Sequence, residues 1–159
     1  MGARAETLAK KFEAKAQEAA AVIERVSDAD WKKVTASEKW PVGVVAHHLA
    51  GAHEVIGGIV KNIATGQAMP PVTMEMLHEM NAKHAREHAN CTKAETLELH
   101  KKGAAAAVAI VRGLDDAALA RTATVLTGMP AMSAEQAVEG ILVNHVDEHL
   151  KSIRATVST

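Results

Sequence analysis

The chain of 159 residues has no tyrosine, one phenylalanine (Phe12) and two tryptophans, Trp31 and Trp40. So few flat rings cannot form the stacking platform on which single-stranded nucleic acid is held. A charge excess is missing too. The net charge is −1, with 18 basic against 19 acidic residues mixed along the chain, whereas a nucleic-acid face needs a clustered basic surplus. Cysteine is reduced to Cys91, which excludes an intramolecular disulfide and a cysteine-based zinc site. We read Cys91 as an inert small side chain near a helix end. No uncharged apolar run reaches the length of a membrane span. The N-terminal stretch holding Arg4, Glu6, Lys10 and Lys11 lacks the apolar core of a signal peptide. The expectation is a soluble cytoplasmic protein that uses neither nucleic acid nor a membrane as partner.

Alternating β-branched residues are also scarce, whereas Ala, Leu, Val, Met, Glu and Lys are plentiful. The fold class expected is therefore all-α. A first helix fits Ala3 to Val26, with Leu8, Phe12, Ala16, Ala19 and Ile23 on one face. Ser27-Asp28-Ala29-Asp30 then stops this helix and caps a short turn holding Trp31. The second helix opens after Trp40, with Pro41 in its first turn, and stops at Gly66 before Pro70-Pro71. Its inward stripe includes Val44, Val45, His48, Leu49 and Ile56, with His47 and His53 toward the flanks. A third helix fits Met74 to Ala89 behind a Thr73 cap, its methionines read as flexible core filler. Thr92 and Glu95 form a capping box for the fourth helix, for which Gly113 is a natural C′ residue. Leu114 to Met132 makes a connection of about twenty residues, unusual unless it crosses over or shapes a site. Such a length can return along the whole bundle. Ser133 and Gln136 form the second capping box, opening a last helix at about Ala134. Val138, Ile141, Leu142 and Ile153 are its apolar stripe, and His145 and His149 fall on it.

Nine histidines are the chemistry on offer. Residues four apart on a helix share one face, so an H-x-x-x-H pair can direct two ring nitrogens at one metal ion. Two such pairs compete, His84/His88 and His145/His149, against the alternative of core histidines satisfied by hydrogen bonds. His48, on an apolar face, offers a third imidazole to a site inside the bundle. Three protein ligands with an open position are the pattern of a catalytic site. Imidazole suits Zn, Ni, Cu and Fe alike. His53, His78 and His100 read as ordinary surface or satisfied histidines. Both pairs also read H-x-x-E-H, through Glu87 and Glu148, the pattern of a zinc hydrolase with glutamate as general base. The motif is short in a chain this rich in His and Glu.

Trp40-Pro41-Val42-Gly43-Val44-Val45-Ala46-His47-His48-Leu49-Ala50 resembles the tryptophan-to-histidine segment that opens the second helix of the DinB/YfiT superfamily. In that pattern the histidine eight positions after the tryptophan, here His48, precedes Leu or Ile. Asn144-His145-Val146-Asp147-Glu148-His149-Leu150 resembles the same superfamily's final-helix H-x-x-x-H, and Asn81 through Leu119 is similar in helix order. Pro41 departs from the usual Ser or Thr after the tryptophan.

This resemblance implies one DinB-like domain over 1–159, a four-helix bundle in up-down-down-up order, often a homodimer. It implies His48, His145 and His149 as ligands of a divalent metal ion, nickel or zinc. Some members transfer or isomerise small molecules with low-molecular-weight thiols such as mycothiol, bacillithiol or glutathione. The function expected is thus that of a metal-dependent, thiol S-transferase-like or isomerase enzyme with a small-molecule substrate. The alternatives are a non-catalytic metal-binding or stress-associated bundle, and the H-x-x-E-H hydrolase. Asp147 and Glu148 are expected beside the ligands or at the surface rather than in catalysis, and no general base is assigned.

Overall fold

The computed structural model describes residues 2–158. The chain forms α1 (Ala3–Arg25), α2 (Asp28–Trp31), α3 (Val42–Thr65), α4 (Met74–Glu87) and α5 (Lys93–Arg112). A short α6 (Asp116–Ala120) follows, then α7 (Ala134–Ala137), a π-helical turn (Val138–Val143) and α8 (Asn144–Thr156). Sheet among the described residues is limited to β1 (Thr122–Ala123) against β2 (Met132–Ser133). The fold is all-α.

Local signals in the chain set most helix boundaries. Ser27, Thr73, Thr92 and Ser133 each accept a hydrogen bond from a backbone N–H in the first turn of the helix they precede. Thr92/Glu95 and Ser133/Gln136 close complete capping boxes, satisfying donors that the helix cannot pair internally. Gly66 ends α3 in the left-handed conformation at φ 71°, which glycine adopts without a Cβ penalty. Two local expectations need correcting. Gly113 is the C-cap of α5 at φ −80°, so it supplies no left-handed turn. Pro41 is the N-cap of α3 rather than its first helical residue.

Cross-helix contacts fix the packing. Lys93 reaches the Glu24 carbonyl, His100 the Ala16 carbonyl and Arg112 the Glu6 carboxylate, so α5 runs antiparallel to α1. Gly103 lies against Ala50 and Gly57 against Ala107, so α3 and α5 run side by side in one direction. A Cβ at Gly103 would stand 3.2 Å from the Ala50 carbonyl oxygen; close approach there depends on the bare glycine. Ion pairs Lys11–Glu139, Lys15–Asp147 and Arg154–Glu18 run along α1 and the last helix in step. The core fills the space between them with Leu8, Phe12, Leu49, Ile63, Leu142 and Leu150.

Helix α4 behaves differently. It buries no residue, and Met74, Met76 and Met80 are exposed. The methionines read from sequence as core filler therefore face outward. Their spacing is helical, but among the described residues no element buries that face. In the last helix Val146, Leu150 and Ile153 take the deepest positions. His145 and His149 are half-buried on the shoulder of that stripe, each one residue, or about 100°, before a core position.

Candidate metal centre

Two helices bring His48, His145 and His149 together. Helix α3 supplies His48, and α8 supplies the other two from successive turns. One nitrogen from each lies within 4.8 Å of the others, a spread one cation could draw together. The Nε2 atoms of His48 and His145 face each other at 3.1 Å. Burial pushes His48 down to about 4, helped by the neighbouring His149 and His84 rings. Burial likewise holds His145 far below the ordinary imidazole range, with His149, His48 and His53 adding to it. Both rings are therefore neutral at pH 7, the form that coordinates a metal. Nδ1 of His145 is buried without a hydrogen-bond partner.

Around these rings stands a supporting shell. His149 donates from Nδ1–H to Glu38 Oε2 at 2.7 Å, which fixes its tautomer and leaves the Nε2 lone pair for a ligand role. Ser152 donates its hydroxyl to the other Glu38 oxygen. Burial raises the Glu38 pKa, but the hydrogen bonds from Ser152, then His149, then Thr35 outweigh it, and the net shift is downward. Glu38 is thus an anion at neutral pH. It comes from the loop between α2 and α3, closed by the Val34–Pro41 bridge and by Lys39 at φ 64°. Glu38 and His149 also line an open groove with Ser37, Lys151 and Ser152. Trp40 meets the His48 ring edge-on at 5.4 Å, which gives the tryptophan-to-histidine spacing a physical role: it props the imidazole.

The competing pair His84/His88, legible in the sequence, gains a partner that the sequence reading did not assign to it. His47, beside His48 on α3, turns toward α4 and joins His84 and His88, again with one nitrogen each within 4.8 Å. His47, expected on a flank, is buried. The signal was the His47-His48 doublet itself, because adjacent helical residues point about 100° apart. His53 and His100 form neither group. They are a core pair, His53 Nε2 to His100 Nδ1 at 2.9 Å, with His100 Nε2 bonded to the Ala16 carbonyl at 2.7 Å. His78 is exposed.

Other candidates make no hydrogen bond to the triad, although Glu148 lines the same groove as Glu38 and His149. Glu148 is exposed and accepts from the Asn144 amide, while Glu87 is exposed and pairs with Lys83. Neither H-x-x-E-H glutamate is hydrogen-bonded to a histidine. Asp147 pairs with Lys15. Cys91 is buried, donates to the Gly43 carbonyl, and burial raises its thiol pKa, which keeps it protonated and unreactive.

Comparison with known proteins gives the same frame. A crystal structure of the mycothiol-dependent maleylpyruvate isomerase matches at a TM-score of 0.74 and 14% identity, over 96% of this chain and 63% of that one. A histidine-to-alanine mutant of such an isomerase matches at 0.76 and 13%, over 100% of this chain and 65% of that one. The chain thus spans less than two thirds of the length of these structures, and at such identities the likeness is one of fold. No curated protein matches the sequence. The family model described as the mycothiol maleylpyruvate isomerase N-terminal domain matches residues 12–147. The chain belongs to that family, within the DinB/YfiT-like superfamily.

Proposed function

We propose that this chain is a metal-dependent enzyme in which His48, His145 and His149 hold one divalent ion, nickel or zinc, and which uses a low-molecular-weight thiol to isomerise or transfer a small molecule. The observation that carries the reading is the convergence of three imidazoles from two helices, one of them oriented by an anionic carboxylate. Three neutral nitrogen donors leave positions open on a tetrahedral or larger ion. When bound, such an ion supplies a positive centre that favours a thiolate over a thiol at neutral pH. The chain's own contributions are separable. Glu38 holds the His149 proton on Nδ1, Trp40 props His48, and burial keeps His48 and His145 unprotonated. The family and the matched structures, named for a mycothiol-dependent isomerase, support a thiol as co-substrate. Among the described residues no helix is long and apolar enough to cross a membrane. We place the enzyme in the cytoplasm, where low-molecular-weight thiols stay reduced.

The test is an assay of nickel- or zinc-loaded protein with maleylpyruvate and mycothiol, then with bacillithiol, glutathione and other electrophiles. Turnover that disappears in His48→Ala is expected. A protein carrying a full metal equivalent that turns over none of them would leave the non-catalytic metal-binding reading in its place.

We also propose a homodimer over a single domain. The exposed methionines of α4 offer an apolar face suited to a symmetric partner. Light scattering should report about twice the 16.8 kDa chain mass; a monomer at micromolar concentration would end this reading.

A further inference from the structure

We infer that His47, His84 and His88 form a second divalent-cation site, which clamps α4 onto α3 beside the first. His47 Nδ1 and His84 Nε2 face each other at 2.8 Å. The His88 ring stacks on His47 at 4.0 Å between centroids and lies 4.7 Å from His84. A neutral imidazole brings one N–H donor and one lone pair, yet the three rings share one hydrogen bond, His47 to His84. Nδ1 of His84 is buried with no partner, and among the described residues no carboxylate bonds to any of the three, in contrast with Glu38 at His149. The converging atoms are His47 Nδ1 and His84 Nε2, with only one proton between them, while Nδ1 of His84 is free to keep its own proton when Nε2 takes a ligand. A late first-row divalent ion would take up the converging lone pairs, since imidazole is a preferred donor for zinc, nickel and copper. Metal–nitrogen distances near 2.1 Å would need the 2.8 Å pair to open only slightly.

The surroundings give such a site a purpose. α4 buries none of its residues, so little apolar packing holds it. A ligand pair on α4 and a third ligand on α3 would fasten it through coordination instead. The His84 ring also stands 5.5 Å from that of His48, so the position of α4 bears directly on the first triad. The two sites would share a backbone step, His47 serving one and His48 the other.

The experiment uses the full chain without a histidine tag, dialysed against excess zinc and analysed for zinc per chain. Wild type should hold two ions. His84→Ala and His88→Gln should each hold one, and the His145→Ala/His149→Ala double variant should also hold one. His88 terminates α4 and is only half-buried, so His88→Gln tests the site without disturbing the core. The second readout is tryptic cleavage at Lys83 and Arg86, which needs α4 to open locally. Free zinc at ten times its dissociation constant should slow that cleavage about tenfold in wild type and in the His145→Ala/His149→Ala variant, but not in His88→Gln. One ion lost only with His48, His145 or His149 would overturn the second site and leave the proposed function standing. One ion lost only with His84 or His88 would support the second site and remove the first. A single ion lost with variants of either group would mean one shared site, and would overturn the proposal, as would wild type holding none.

Discussion

Replacing any one of His48, His145 or His149 with alanine is expected to lower divalent-metal affinity at that site by on the order of 100-fold or more. Removing an outer partner of a metal ligand commonly costs 10- to 100-fold, and a ligand itself should cost at least as much. Glu38→Gln is expected to fall within that outer range, because Gln can no longer hold the His149 proton as a charged acceptor. A chelator-competition titration on each variant measures both. The control is His78→Gln, at an exposed position, which should leave affinity unchanged. His53 and His100 make poor controls because both lie in the core, where alanine would disturb packing. Burial moves the point at which protons compete: His48 titrates at about 4 and His145 stays low as well. At those two positions acid should displace the ion only well below the ordinary imidazole pKa of about 6.5. Unchanged affinity in His145→Ala would remove the triad as a metal site.

The metal-free protein should also lose stability steeply with acid, and the core pair His53–His100 should account for part of the slope. Burial, then the charge of His100, brings His53 down to about 3. Burial outweighs the Ala16 carbonyl and lowers His100. The sign follows from proton counting. Below about 6.5 the unfolded chain takes up protons on these rings while the folded chain refuses them, so unfolding is favoured as pH falls. Above that range the pair contributes no pH dependence. Between about 6.5 and 3 the loss approaches roughly 1.4 kcal/mol per pH unit for a ring fully shielded like His53. The double variant His53→Gln/His100→Gln keeps hydrogen-bonding groups but does not titrate. Urea unfolding at pH 7 and pH 5 should show a smaller drop in midpoint for the variant than for wild type. Equal drops would place the acid sensitivity elsewhere, for instance in the two imidazole clusters.

What could be read from the chain was largely local. The Thr92–Glu95 and Ser133–Gln136 boxes, the Thr73 cap and the Gly66 stop involve residues within a turn of each other, and all four stand in the structure. The pairing of His145 with His149 has the same character. His48 lies 97 residues from His145, and no local spacing connects them; the resemblance of the Trp40–His48 segment did. Glu38 carried no signal at all, because its place depends on a loop held by one bridge and a left-handed lysine. The methionines of α4 misled for the opposite reason. Amphipathic periodicity reports that a face could be buried, not that something arrives to bury it.

The π-helical turn at Val138–Val143 lies just upstream of His145. Such a turn accommodates a residue beyond the ordinary helical count while the flanking segments keep their bearing. Deleting one residue within Val138–Val143 would therefore let a plain α-helix replace the wider turn and keep the bearing of His145 and His149. The four-residue step from His145 to His149 has no such freedom, since one residue more or less would swing a ring by about 100°. Slippage is tolerated upstream of the site and forbidden within it.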